Sequence, residues 1–134
     1  MIGCLLYLTA SWLEIAFSVG ICSRFQSNPK VSYLNAVKRI IKYVGRTCDY
    51  GLFYSKESNQ SLAGFSYSDW ASNADDRKST TGGCFYVGAN LVAWMSKKQN
   101  YVSLSTAEAE YIAAGSCFSQ LLWMKKVLTG YVIF

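Results

Sequence analysis

The sequence predicts an α+β fold in which two N-terminal helices precede a group of antiparallel strands and a long C-terminal helix. The spacing of the apolar residues carries this prediction. They recur at helical intervals up to about residue 44 and again after residue 105, whereas between about residues 50 and 104 they alternate with a period of two. A helical segment followed by consecutive strands and a further helix is typical of α+β proteins.

Composition limits the classes of protein and of site that are possible. With 134 residues, 51% of them hydrophobic, the chain can bury a core, which argues against intrinsic disorder. The absence of His excludes Ser-His-Asp catalysis, Cys-His catalysis and every His-ligated zinc site. Five Cys without a Cys-x-x-Cys spacing indicate neither a disulfide scaffold nor a zinc framework. The net charge of +5 fits a nucleic-acid contact, an acidic partner or an ordinary basic domain.

The first 23 residues contain no Lys or Arg and allow three interpretations. A secretory signal peptide would span about residues 1–20, with Leu5–Phe17 as its apolar region and Ser18–Gly20 as its small-residue cleavage site. A membrane span would be of marginal length, and Glu14 near its middle would cost about 2.5–3.5 kcal/mol, so we expect no stable span. An amphipathic helix of the fold would place these apolar residues on one face: Leu5, Leu8, Leu13, Phe17 and Ile21.

A second helix is predicted from Val31 to Val44, between the Asn28–Pro29 break and Gly45, which suits a helix end. Its other face is basic and is either a solvated surface or a stripe that contacts phosphates. The basic residues concerned are Lys38, Arg39 and Lys42. The predicted apolar face comprises Val31, Leu34, Val37, Ile41 and Val44.

Alternating apolar residues predict four strands. The first is placed at Tyr50–Ser55 and the second at Leu62–Ser68. The third and fourth, Gly83–Val87 and Leu91–Met95, form a hairpin across Gly88–Asn90.

The last helix is predicted from Thr106 to about Leu128. Its start is indicated by Ser105 and Glu108, which have the spacing of a capping box. The segment before it, Tyr101–Leu104, is either a short further strand or an extended approach to this helix.

Four motifs in the second half of the chain resemble, in order and spacing, the ribonuclease H (RNase H) region of copia-type retrotransposon polyproteins. They are Gly64–Ala71, Asp76–Gly83, Trp94–Gln99 and Leu104–Tyr111. Earlier segments resemble the tail that joins the reverse transcriptase to this region, namely Phe25–Pro29, Ala36–Ile40 and Asp49–Leu52. The resemblance implies a helical segment over residues 1–48, or a signal peptide of about 20 residues followed by a helix, and an RNase H-like domain over residues 49–134.

The resemblance also implies hydrolysis of RNA–DNA hybrids by two Mg²⁺ ions, which carboxylates hold about 3.5–4 Å apart. In the family these carboxylates are a strand Asp, a helix Glu and a later Asp in an Asp-Asn motif. Tyr67 stands where the strand Asp is expected, and Glu110 matches the helix Glu. Asp69, two residues or about 6.6 Å further along the strand, is at most a weak substitute. The chain stops at Phe134 before any Asp-Asn motif, so we expect a truncated, catalytically defective domain without a metal or other cofactor.

Other polar residues have a structural and a functional interpretation. Lys97, Lys98 and Gln99 follow a predicted strand and are either a solvated loop or weak contacts to the phosphates of a hybrid. Asp75 and Asp76 fall in a loop where turn chemistry is expected. Three tryptophans are expected in the core rather than on a base-stacking surface: Trp70, Trp94 and Trp123.

Three function hypotheses follow. The first is RNase H activity, which the missing carboxylates disfavour. The second is an intracellular polyprotein remnant with weak affinity for RNA–DNA hybrids. The third, which we favour, is a secreted protein that acts without catalysis.

The third hypothesis rests on a further resemblance, because similar copia-derived sequences occur among secreted effectors of the RxLR class from plant-pathogenic oomycetes. Such effectors act in the host nucleus or cytoplasm, often by suppressing immune cell death. This chain contains no Arg-x-Leu-Arg motif. A truncated sheet exposes an edge that favours binding to a host protein or to a second copy.

Overall fold

The computed structural model describes residues 1–56 and 59–131, and its contacts divide the chain into two compact units. The first unit is Met1–Gly51 and the second is Leu52–Phe134. Each unit has its own hydrophobic core and is described by itself.

The first unit is helical. It contains α1 (Ile2–Leu8), a 3₁₀ turn (Leu13–Ile15), α2 (Ala16–Arg24) and α3 (Val31–Arg46). Its core is formed by side chains from all four elements: Leu5, Ile15, Val19, Cys22, Val37 and Ile40.

The predicted single face of the first helix is wrong, because the helix ends at Leu8 and resumes only at Ala16. The interruption changes the phase of the following turns. Val19 and Cys22 are therefore buried, whereas Phe17 is exposed. Burial in this core raises the pKa of the Cys22 thiol, so this side chain acts as a small apolar group.

The predicted apolar face of α3 is wrong in part. Val37 and Ile40 are buried, while three of the five predicted residues are exposed, namely Val31, Leu34 and Ile41. Both sides of this helix carry branched apolar residues, so periodicity alone cannot select the inward one. The helix also continues through Gly45 to Arg46, and the Thr47 hydroxyl then donates to the Tyr43 carbonyl over 2.9 Å.

The second unit contains one three-stranded antiparallel sheet in the described part of the chain. Its strands are β1 (Leu62–Asp69), β2 (Thr80–Val87) and β3 (Asn90–Lys98), in the order β1-β2-β3. The predicted hairpin is confirmed, although both of its strands are longer than expected. Its two-residue connection contains Gly88 at φ 60°, a backbone conformation that Gly adopts without strain.

The predicted strand at Tyr50–Ser55 is wrong, since this segment joins no sheet. Ser55 is instead held by one side chain of the hairpin. Its N–H donates to Asn90 Oδ1 over 2.7 Å, and its carbonyl accepts from Asn90 Nδ2 over 2.9 Å. A side chain therefore satisfies the backbone groups that a strand partner would otherwise bond. Tyr101–Leu104 is not a strand; it leads into the last helix with bends at Tyr101 and Leu104.

The last helix, α4 (Thr106–Gly130), begins where the capping box was predicted. Ser105 Oγ accepts from the Glu108 N–H over 3.2 Å. The Glu108 carboxylate reaches back to the Leu104 N–H over 2.7 Å, one residue before the cap. The box thus satisfies two backbone donors at the helix entrance.

α4 packs closely on one face of the sheet. A Cβ atom at Gly83 would lie 2.7 Å from Cys117 Sγ, so only Gly permits this approach of helix and strand. The core between them is formed by Phe85, Cys117 and Met124, with Leu62, Ala93, Met95 and Leu121 packed against it.

Gln99 is a buried polar connection between the sheet and α4, with only 3% of its surface exposed. Its Nε2 lies 3.2 Å from Ser68 Oγ, 3.1 Å from Thr81 Oγ1 and 2.9 Å from the Ala109 carbonyl. Its Oε1 accepts from Ser103 Oγ over 3.1 Å. Neither predicted role of Gln99, solvated loop residue or phosphate contact, agrees with this burial. The amide joins two strands, a loop and the first turn of the helix.

We expect Gln99→Leu to lower the free energy of unfolding by about 1–3 kcal/mol, because it leaves buried hydrogen-bonding groups without a partner. Urea denaturation followed by tryptophan fluorescence measures this change. Asn100→Ala is the matched control, since Asn100 is exposed and its carbonyl, not its side chain, accepts from Lys78 Nζ. Equal stability of the two variants would contradict a structural role for the Gln99 amide.

Candidate functional site

The residues that match the metal-binding motif lie where β1 ends and α4 begins. Glu110, on the second turn of α4, accepts a hydrogen bond from the Ser68 N–H at its Oε1 over 3.0 Å. Asp69 accepts from the Thr80 N–H and from the Ser72 hydroxyl, one at each carboxylate oxygen. Both predicted acids are therefore engaged by hydrogen-bond donors of the second unit.

Tyr67 lies on the same strand, with its ring against Gly82 and 54% of its surface exposed. Partial burial raises the pKa of the Tyr67 hydroxyl, and the negative charges of Asp69 and Glu110 raise it further. At neutral pH the side chain is a neutral phenol close to two carboxylates.

This donor set does not fit a two-Mg²⁺ centre. Mg²⁺ requires oxygen ligands, usually carboxylates, in near-octahedral geometry. Tyr67 supplies a neutral phenol where a carboxylate is required, and Asp69 is turned toward Thr80 and Ser72. Across residues 1–56 and 59–131, no group of three or more His, Cys, Asp or Glu side chains is placed to hold a metal ion.

The loop between β1 and β2 is held by local hydrogen bonds. Ala71, at φ 46°, donates from its N–H to the Ser79 hydroxyl over 3.1 Å. Asp76 closes a turn by accepting from the Lys78 N–H over 3.1 Å, which confirms its predicted turn role. Its other oxygen forms an ion pair with Lys98. The loop is thus fixed at both ends.

The tryptophan prediction is wrong for two of the three residues. Trp70 is half exposed, although its indole Nε1–H donates to the Ser103 carbonyl over 3.1 Å. Trp123, on the outer side of α4, is more exposed still. Trp94 is partly buried on β3.

The predicted basic contacts fall in both units. Lys38, Arg39 and Lys42 are exposed on α3 in the first unit. Lys97 and Lys98 lie within β3 rather than after a strand, and Lys98 is paired with Asp76.

Most of the positive charge belongs to the first unit. It carries six basic and two acidic side chains, a net charge of +4, whereas the second unit carries seven basic and six acidic, a net charge of +1. Any electrostatic attraction to phosphates is therefore concentrated on the first unit.

The buried polar residues of this region are not predicted from the sequence. Ser79, Thr80 and Thr81 are almost completely buried, although they have polar side chains. A signal was available, because a run of three hydroxyl residues directly before Gly82–Gly83 breaks the alternation expected of a half-exposed strand.

Comparison with known proteins identifies the class to which this α+β chain belongs. It is 36% identical over 129 residues to the retrovirus-related Pol polyprotein from transposon RE2 of Arabidopsis thaliana, covering 96% of this chain and 9% of the polyprotein. It is 38% identical over 128 residues to the corresponding polyprotein from transposon TNT 1-94 of Nicotiana tabacum, of which it covers 10%. The chain thus spans about a tenth of these polyproteins.

A relative of similar length also matches. The secreted RxLR effector protein 161 of Plasmopara viticola is 35% identical over 124 residues, which cover 92% of this chain and 87% of that protein. The chain belongs to the family of copia-type Pol polyprotein sequences. The effector contains a sequence of the same family. No family model matches the chain, and no solved structure matches it.

Among the helices of residues 1–56 and 59–131, none has both the length and the apolar character needed to cross a membrane.

We expect Glu110→Gln to lower the pKa of Tyr67 part of the way toward the usual tyrosine value. Removing one negative charge eases ionisation of the phenol, whereas the larger effect of burial remains. NMR titration of ¹³C-labelled tyrosine, with Tyr67→Phe to assign the signal, measures the shift. Glu108→Gln is the control, since Glu108 is bonded to Leu104 at the helix cap. An equal shift in both variants would show that Glu110 does not act on Tyr67 directly.

Proposed function

We propose that this chain is a catalytically defective RNase H-like protein, derived from a copia-type Pol polyprotein, that acts by protein binding. In this proposal it is a secreted effector that enters the plant host cell and suppresses immunity and cell death. It needs no metal or other cofactor for this role. Its protein partner, from the host or a second copy, binds at an edge of the sheet.

One observation carries the effector assignment. The chain and the secreted RxLR effector of Plasmopara viticola match along most of both lengths, whereas the polyproteins match over only about a tenth of theirs. Most of the effector therefore corresponds to the sequence of this chain. The copia-type segment can evidently serve a protein that is not a whole polyprotein.

The site geometry supports the absence of catalysis. Glu110 keeps the position of the family's helix Glu, but its carboxylate binds the backbone of Ser68. Tyr67 replaces the strand Asp, and Asp69 binds Thr80 and Ser72. Each carboxylate therefore accepts hydrogen bonds from the protein itself and needs no metal ion as a partner.

Expression in leaf cells challenged with a cell-death elicitor tests the proposal. We expect the wild-type chain to reduce ion leakage relative to an empty vector, and Asp69→Asn to reduce it equally, because no carboxylate chemistry is required. Gln99→Leu, which we expect to destabilise the fold, should lose the effect. Leakage unchanged by the wild-type chain would contradict the effector role.

A parallel assay with Mg²⁺ and an RNA–DNA hybrid tests the catalytic defect. Neither the wild-type chain nor Tyr67→Asp is expected to cleave the hybrid, because the variant restores only a second carboxylate beside Glu110. Cleavage by the wild-type chain would instead establish an enzyme.

The second candidate function is weak binding of RNA–DNA hybrids by an intracellular remnant. The exposed basic side chains of α3 favour it, with Lys97 as an additional contact and Lys98 held by its ion pair. In this case the dissociation constant should rise steeply with salt concentration. The double variant Lys38→Glu and Lys42→Glu should reduce the slope of this salt dependence by the equivalent of about two phosphate contacts. Fluorescence anisotropy with a labelled hybrid measures both slopes. A salt-independent signal would exclude phosphate contacts.

A further inference from the structure

The outer edge of β1 has backbone groups that no other described strand bonds. β1 pairs with β2 alone in the part of the chain that the structure describes. The Ser61 carbonyl accepts from the Gly88 N–H over 2.7 Å, so the backbone N–H and carbonyl groups of odd-numbered β1 residues point toward β2. The Ser68 N–H instead donates to Glu110, so the backbone N–H and carbonyl groups of even-numbered β1 residues point away from β2. Leu62, Gly64 and Ser66 therefore direct their N–H and carbonyl groups outward.

This edge lacks the features that normally prevent strand pairing. Exposed edges are usually protected by Lys, Pro or a bulge. Residues 62–68 contain neither Lys nor Pro, and their register with β2 is unbroken. The opposite edge strand, β3, carries Lys97 and Lys98 and a register shift opposite Phe85 and Tyr86. The two edges are thus unequal, and β1 is the one suited to pairing.

An apolar groove of about 490 Å³ runs beside this edge, under α4. Leu62, Leu121 and Lys125 line it together with Phe118 and Leu122, which are 61% and 52% exposed. α4 runs antiparallel to β1, since Glu110 lies at Ser68 and Leu121 lies over Gly64. The edge therefore ends in a negative charge at Glu110 and a positive charge at Lys125.

We propose that this edge binds the same edge of a second copy, so that two chains form a symmetric dimer with a continuous six-stranded sheet. Residues 62, 64 and 66 would pair antiparallel with the same residues of the other copy, with Gly64 opposite Gly64.

Charge complementarity identifies the occupant. A two-fold axis reverses the direction of the edge, which brings Glu110 of each copy toward Lys125 of the other. Phe118 and Leu122 would be covered by the same pairing, because both α4 helices lie on one face of the joined sheet. The surface is self-complementary in hydrogen bonds, in charge and in apolar area.

Analytical ultracentrifugation of the full chain over a range of concentrations tests the proposal. The wild-type chain should reach twice its 14.9 kDa mass. Ser66→Pro removes an outward N–H without breaking the β1–β2 ladder, and it should weaken the dimer about tenfold or more. Ser96→Pro is the matched control. Ser96, on β3, lies opposite Gly82 of β2, and its backbone N–H and carbonyl groups point outward at the other edge of the sheet.

A charge exchange provides a second test that does not alter the backbone. Glu110→Lys and Lys125→Glu should each weaken the dimer, and the double variant should recover most of the affinity. Circular dichroism confirms that each variant is folded. A monomer at all concentrations, a dimer broken by Ser96→Pro instead of Ser66→Pro, or a double variant weaker than both single ones would overturn the proposal. These outcomes do not depend on the leaf assay, which tests the effector role separately.

Discussion

The buried Gln99 amide is the interaction on which the arrangement of the second unit depends. A three-stranded sheet has little area with which to orient a helix, and the buried side chains of α4 are apolar and without directional bonds, namely Ala109, Ala113, Cys117 and Met124. Gln99 adds direction to this packing, because its bonds to Ser68, Thr81 and the Ala109 carbonyl have defined geometry. With the first turn of α4 fixed against β1, Glu110 accepts from the Ser68 N–H over 3.0 Å.

The position of Glu110 affects the electrostatics of the family's acidic site. Carboxylates that surround a metal repel each other when the ion is absent. Here the repulsion is relieved in two ways: a neutral phenol stands at residue 67, and each remaining acid accepts hydrogen bonds from nearby donors. Glu110 thereby becomes an end cap for β1. The contact with Ser68 thus gives this carboxylate a structural role at the end of the strand.

The features that could be predicted from the sequence are those set by local chemistry. The capping box at Ser105 and Glu108 and the hairpin at Gly88 depend on a few adjacent residues, and both are present as expected. The inward face of α3 depends on which neighbours cover it, and its apolar residues lie on two sides, so the predicted face is wrong for three of its five residues. Tyr50–Ser55 alternates like a strand but binds one side chain, Asn90. No local pattern reveals such a distant partner.

The candidate site divides in the same way. Motif position placed Tyr67, Asp69 and Glu110 near each other, and the structure puts them at one end of β1. The hydrogen-bond donors to the Asp69 and Glu110 carboxylates were not predictable, because they are backbone N–H groups of other segments and the Ser72 hydroxyl. Gln99 was misjudged for a related reason: a polar residue after two lysines is normally solvated, and only the fold closes over it.

The division of charge between the units determines which surfaces are available for function. The first unit holds most of the positive charge, with its basic side chains exposed on α3. The second unit is nearly neutral and has acids at the family's site, which repel a phosphate backbone. It also has a strand edge that no other described strand pairs with, beside an apolar groove. The exposed basic side chains and the open strand edge therefore belong to different units, so contacts with phosphates and contacts with a further strand would use separate surfaces.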